Sequence, residues 1–224
     1  MSGPREFYAR IIIVTVFIIF STSAYTAGGK KDLNNSTYKA YMNHRTIDYE
    51  EMDNADKEML KLAKASAKEC SQALEDAIKQ GTKSEKEIFS TLYFPVTPLT
   101  YPPTFNTFYD DYTDKVITPI ADKFVDKDKR IVYVGMVDKN GYIPSLNSTF
   151  CQPRTGNPEI DLKRSRTKRI FNDRTGFLAA KNEEDFLLQV YCRDTGEIFA
   201  DLSVPMFVKG KHWGALRIGY YRGE

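Results

Sequence analysis

The chain has 224 residues, with 32 Lys and Arg against 30 Asp and Glu, a formal net charge of +2. That balance argues against a general nucleic-acid binder, which carries a basic excess, and the length suits one hydrophobic core. Two His and three scattered Cys give no zinc spacing, no Cys-x-x-Cys-His haem attachment and at most one internal disulfide.

In chain order, Arg5 and Arg10 precede an uncharged apolar run, Ile11 to Phe20, followed by the small residues Thr22-Ser23-Ala24. The run falls short of the roughly 20 residues that a spanning helix needs. Residues 1–24 therefore read as a cleaved secretory signal peptide; the alternative is an uncleaved N-terminal anchor. Residues 25–53 are polar and aperiodic, and read as a tether.

From Asn54 to Gln80 the pattern turns helical. Met59, Ala63, Ser66, Cys70, Ala73 and Ala77 recur at steps of four and three, Asp53 can cap the start and Gly81 can stop the end. This small-residue stripe fits either a homodimer seam or signalling helix, or a face turned to the core. Ser84 to Glu87 fits a capping box. Pro95, Pro98, Pro102 and Pro103 preclude a helix or central strand and predict an extended strap. Phe105, Phe108, Tyr109, Tyr112, Val116, Ile120 and Phe124 then return at helical spacing, with a kink expected at Pro119.

Ile131 to Asp138 is a β-branched run ending in Lys139-Asn140-Gly141, a hairpin signal. Tyr142–Asn147 would return antiparallel to it. Phe186–Arg193, Ile198–Val208 and His212–Tyr220 follow, joined by Asp194-Thr195-Gly196-Glu197 and Lys209-Gly210-Lys211, both of which read as tight turns. The fold class is α+β, with N-terminal helices leading into a five-stranded antiparallel sheet. Cys151 and Cys192 form the geometric candidate for a disulfide, one following the first hairpin and the other sitting in a central strand; Cys70 reads as a buried apolar residue.

Alternation places Gln189, Tyr191 and Arg193 on one face of their strand, and Asp201 and Ser203 on one face of the next. If that face meets a cavity, Tyr133, Gln189, Tyr191, Arg193 and Asp201 line it, an aromatic wall with a few polar groups as small-ligand pockets have. The basic segment Leu162 to Phe177 reads mostly as a solvated face. Arg174 stands out within Asp173-Arg174-Thr175-Gly176 as a fixed contact for a ligand or for the fold. No nucleophile elbow, phosphate-cradling loop or metal dyad is present, so the chain does not read as an enzyme. His212, next to the single Trp213, is the alternative site, as axial ligand of a non-covalently held haem.

Several blocks in fixed order carry a resemblance. Val137-Asp138-Lys139-Asn140-Gly141-Tyr142-Ile143-Pro144, Phe150-Cys151-Gln152-Pro153, Lys168-Arg169-Ile170-Phe171-Asn172-Asp173-Arg174-Thr175-Gly176, Gln189-Val190-Tyr191-Cys192-Arg193-Asp194 and His212-Trp213-Gly214-Ala215-Leu216-Arg217-Ile218-Gly219-Tyr220 resemble the sensory module of bacterial methyl-accepting chemotaxis proteins. The likeness runs from about Asn54 to Tyr220. It implies a PAS/Cache-like sheet with a ligand cavity on one face, a periplasmic location, a small-molecule ligand and contact with a transmembrane chemoreceptor or sensor kinase. It also leaves open a periplasmic carrier without a signalling role. Two departures stand out. The chain ends at Glu224 without the long signalling helices of such receptors, so the domain is expected to act alone. Related modules often carry Pro-Thr-His-Asn where this sequence has Pro144-Ser145-Leu146-Asn147.

Overall fold

The long helix forms where its caps and stripe place it. In the computed structural model, which describes residues 44–98, 100–192 and 198–222, α1 spans Asn54–Lys79, after the short strand β1 (Arg45–Ile47). Asp53 Oδ1 accepts from Asp56 N at 2.7 Å, Asp56 Oδ2 accepts from Asp53 N at 3.2 Å, and Gly81 leaves the helix at φ +73. A second reciprocal box, between Ser84 and Glu87, starts α2 (Glu85–Ile88). The signal segment, residues 25–43 of the expected tether, Arg193 and the turn from Asp194 to Glu197 lie outside the described residues. Among the described residues, no helix is long and apolar enough to cross a membrane.

The proline-rich strap is extended, and β2 (Phe94–Pro95) pairs with β3 (Phe105–Asn106). The next helix, α3 (Asp110–Val125), therefore begins later than the apolar spacing from Phe105 predicts. Asp110 explains the difference, because it accepts from Thr107 N at 2.7 Å and Thr107 Oγ1 at 2.8 Å and fixes the first turn there.

After α3 come β4 (Ile131–Asp138), β5 (Tyr142–Ile143) and β6 (Ser145–Leu146). The expected second strand is thus broken at Pro144. Only β6 pairs with β4, while β5 pairs with β7 (Arg169–Ile170) beyond α4 (Pro158–Arg164). Asp138 holds the intervening turn, with Oδ1 accepting from Asn140 N and Tyr142 N and Oδ2 accepting from Tyr93 OH and Tyr109 OH. Burial pushes its carboxyl above the ordinary Asp range. Helix α5 (Arg174–Lys181) follows, capped by Asp173, and then β8 (Leu187–Cys192), β9 (Ile198–Val208) and β10 (Lys211–Tyr221). Lys209 (φ 50) and Gly210 (φ 73) close the β9–β10 hairpin, both in the left-handed region that a two-residue turn of this kind needs.

The main sheet has six strands, not five, in the order β1-β8-β9-β10-β4-β6, with every pairing antiparallel. The added strand is β1, from the segment expected to be tether. It pairs Arg45 with Val190 and Ile47 with Leu188, satisfying the outer edge of β8.

The two faces of the sheet are covered differently. Leu188, Leu202, Val204, Leu216, Ile218, Val134 and Met136 pack in one cluster with Met59, Ala63, Cys70 and Leu74 of α1 and with Ile117 and Ala121 of α3. The small-residue stripe of α1 is therefore turned to the core. On the opposite face Ala180 of α5 joins Val137, Ile143, Leu146 and Ala215 in a smaller cluster.

Leu202 is fully buried between the sheet and α1. Leu202→Ala is expected to lower unfolding stability by about 2–5 kcal/mol, by lost transfer energy and the cavity left behind, read from urea denaturation.

Candidate functional site

A cavity of about 430 Å³ opens on the α5 face of the sheet. Strand register builds its floor. Gly219 of β10 stands opposite both Asp201 of β9 and Tyr133 of β4. With no side chain there, the Asp201 carboxylate and the Tyr133 hydroxyl meet across the strand, Tyr133 OH donating to Asp201 Oδ2. A Cβ at Gly219 would come within 2.0 Å of Tyr133 Cε1. Arg217, two residues earlier on β10, reaches diagonally to the same carboxylate, Nε donating to Oδ1 at 3.1 Å and Nη2 to Oδ2. Asp201 is 1 % exposed and Arg217 8 %.

Electrostatics hold this group together. Burial works against the charge on Arg217, but the Asp201 carboxylate outweighs it and raises the guanidinium above its usual pKa. Burial, and after it the balance of Arg217 and Asp201, keeps the Tyr133 hydroxyl protonated well above the ordinary tyrosine range. Arg217 and Tyr133 form the cavity floor, and the Asp201 carboxylate behind them accepts from both.

The walls are aromatic. Phe199 lies 6.2 Å from Tyr133 and 5.7 Å from Tyr191, centroid to centroid, and His44 lies 5.4 Å from Tyr191. Ile143, Leu146, Phe150 and Phe171 complete an apolar side, and Arg166, Asp173, Arg174 and Thr175 add charge and hydrogen-bonding capacity at the rim. Leu146 makes this corner of the cavity hydrocarbon. Thr175 Oγ1 approaches both ring nitrogens of His44, at 3.5 and 3.4 Å. Burial, and then the nearby Arg174 guanidinium, lower the pKa of His44.

Of the residues singled out from sequence, Tyr133, Arg174 and Tyr191 line the cavity. Asp201 lies behind its floor, held by Tyr133 and Arg217. Gln189 is fully buried and is not among the lining residues; its Nε2 donates to Thr175 O at 3.0 Å and ties β8 to α5. Arg193 lies outside the described residues. His212 is not among the lining residues; its ring packs on Phe207 at 5.5 Å, with Nδ1 3.7 Å from Glu183. Cys151 is a free thiol whose Sγ donates to Leu146 O at 3.1 Å, which corrects the disulfide expected with Cys192; the side chain of Cys192 lies outside the described residues. Among the described residues, no group of three or more His, Cys, Asp or Glu gathers as a metal site would.

Arg217, His44, Phe199 and Arg166 belong to the site but were not singled out. For Arg217 a signal existed, an unaccompanied charge inside the apolar run from Trp213 to Tyr220. For His44 there was none, because it comes from an aperiodic polar segment.

No protein-family model matches the chain, and no curated protein matches it. Among solved structures it is similar to the ligand-binding domain of the Campylobacter jejuni chemoreceptor Tlp3 in complex with L-norvaline, at TM-score 0.34 and 15% identity. The alignment covers 78% of this chain and 63% of that one, so the chain spans less than two thirds of its length. At that TM-score the function has to be read from the cavity itself.

Removing the charge of Asp201 leaves Arg217 buried and unpaired. Asp201→Asn is expected to lower stability by about 3–5 kcal/mol, and Asp201→Leu combined with Arg217→Met to lose much less than the two single changes summed, by denaturant unfolding. A depressed His44 pKa favours the neutral ring in the folded state. Its contribution to stability is then present above about pH 6.5 and is lost as pH falls through the folded pKa. An NMR titration of the two His rings checks it, with His44 titrating below a free imidazole.

Proposed function

We propose that this chain is an exported sensory domain that binds a small molecule in the cavity between its sheet and α5. The observation that carries the reading is the cavity itself. Its volume falls within the range of roughly 300–1,000 Å³ typical of small-ligand sites, and it lies on the sheet face where alternation along the strands predicts a pocket. Its chemistry also fits, with a hydrocarbon and aromatic body, a fixed ion pair at the floor and further arginines at the rim. The reading is one of binding, not turnover.

A route for the signal follows from strand alternation. Arg217 faces the cavity and its neighbour Ile218 faces α1, while Tyr220 OH donates to Asp56 Oδ1 at 2.6 Å at the start of that helix. A ligand that draws on Arg217 would bias β10, and with it the position of α1. The outer face of α1, with Glu58, Lys61, Lys64, Lys68 and Gln72 exposed, is the surface offered to a receptor or kinase. Export rests on the Ile11 to Phe20 segment of the sequence. The haem alternative through His212 gains no support, since that ring stands outside the cavity.

The test is a thermal-shift screen of the full chain against amino acids, organic acids and aromatic compounds. A ligand present at about 100 times its Kd adds about 2.7 kcal/mol, a rise of about 5–10 °C for a domain of this size. Thr175→Trp, which fills the mouth of the cavity, should abolish the rise while leaving the unliganded melting point within a few degrees. A library without hits, or hits indifferent to Thr175→Trp, sinks the reading. Pull-down of a transmembrane receptor then separates a sensor from a carrier.

A further inference from the structure

The rings on the sheet side of the cavity form one continuous surface. Phe199 of β9 pairs with Tyr133 of β4, their planes 30° apart, and with Tyr191 of β8, which in turn meets His44. Phe150 and Phe171 add two more rings from the excursion between β6 and β8. A planar ring laid against such a surface gains edge-to-face and offset contacts beyond the area it buries. An aliphatic body of the same size gains the burial alone.

Around the same space, positive charge is in excess. The charged lining residues are Arg166, Arg174, Arg217 and a single acid, Asp173. Asp173 Oδ1 is held by the helix cap, accepting from Gly176 N at 3.1 Å. Behind the floor, Asp201 Oδ1 accepts from Arg217 Nε, and Oδ2 accepts from Tyr133 OH and Arg217 Nη2. That fork uses two of the three guanidinium nitrogens and leaves Nη1, with its two N–H donors, outside it. Arg174 is exposed at the start of α5, and its side chain has no ion-pair or hydrogen-bond partner among the described residues. Its charge is felt inside the cavity, because burial first and Arg174 next lower the pKa of the His44 ring. An incoming carboxylate therefore meets guanidinium donors, whereas an ammonium meets like charge.

We infer that the molecule taken by the cavity is an aromatic carboxylic acid without an ammonium group, its ring against Phe199 and Tyr191 and its carboxylate drawn to Arg174 and Arg217. The inference rests on the cavity being the binding site, and it adds the class of ligand. An amino acid fits less well, since its ammonium needs a carboxylate of its own. Asp201 is taken by Arg217 and Tyr133, and Asp173 by the cap of α5.

The test titrates the full chain calorimetrically, at constant ionic strength, with four compounds of matched size: phenylpropionate, phenylalanine, phenethylamine and cyclohexylpropionate. Benzoate and indoleacetate extend the aromatic acids to smaller and larger bodies. Saturable binding of at least one aromatic acid is expected. Phenylalanine should bind about tenfold or more weaker than phenylpropionate, and phenethylamine weaker still, from the ammonium brought against guanidinium groups. Cyclohexylpropionate should bind about two- to tenfold weaker, the loss of the ring-to-ring contacts. Arg174→Gln should weaken the aromatic acids about ten- to a hundredfold, as one charge-assisted hydrogen bond is lost. Lys181→Gln, which removes a charge from the other end of α5, should leave them unchanged.

No saturable binding of any aromatic acid overturns the inference, as does phenylalanine or phenethylamine binding as tightly as phenylpropionate. Cyclohexylpropionate binding as tightly removes the aromatic requirement, and equal effects of Arg174→Gln and Lys181→Gln remove the carboxylate contact. Thr175→Trp separates this inference from the reading beneath it. Thermal-shift hits of another class that Thr175→Trp blocks leave the cavity standing and sink the aromatic acid. Aromatic-acid binding that persists in Thr175→Trp places the site elsewhere and sinks both.

Discussion

Everything on the cavity side of this protein depends on one buried carboxylate. Asp201 sits within β9, a strand paired on both sides, where an ionised group would be prohibitive alone. It is tolerated because Arg217 and Tyr133 come from the two strands beside and beyond it and supply three donors. That arrangement needs Gly219 between them, since any larger residue would occupy the space of the Tyr133 ring. Such a pair adds little net stability over an apolar replacement. What it does is fix the positions of the Arg217 guanidinium and the Tyr133 phenol on the cavity floor.

The sheet separates two kinds of packing. On the α1 side, small residues along the helix let it lie close to the strands, and the contact is continuous and apolar. On the other side, α5 is short and covers only part of the sheet, its Ala180 packing with Val137 and Ala215. The uncovered remainder is the cavity. Because β10 contributes Arg217 to one face and Ile218 and Tyr220 to the other, displacement of that strand acts on both. A dense core transmits such movement better than it absorbs it.

The loop excursion between β6 and β8 supplies what the strands lack. Its short pairing with β5 holds Arg169 in place, Asp173 caps the helix that carries Arg174 and Thr175, and Phe171 faces the cavity between two guanidinium groups. A segment that looks like a solvated basic stretch in sequence thus delivers most of the rim's charge. Its arginines differ in role by position: Arg164 is exposed, Arg166 lines the cavity, and Arg169 is half-buried against an aromatic ring.

Local patterns in the sequence determined the long helix with both its ends, the strands from Ile131, Ile198 and His212, the Lys209-Gly210 turn and the side of the sheet on which Tyr133 and Tyr191 lie. Each follows from interactions within a few residues: a cap, a period, a turn dipeptide. What the fold alone decided involves partners far apart in the chain. Arg45–Ile47 becomes a strand only because β8 offers it an open edge, and that pairing carries His44 to the cavity. Asp201 and Gln189 share the predicted face, yet one is taken up by Arg217 and the other by Thr175, since alternation gives the direction of a side chain but not who stands opposite.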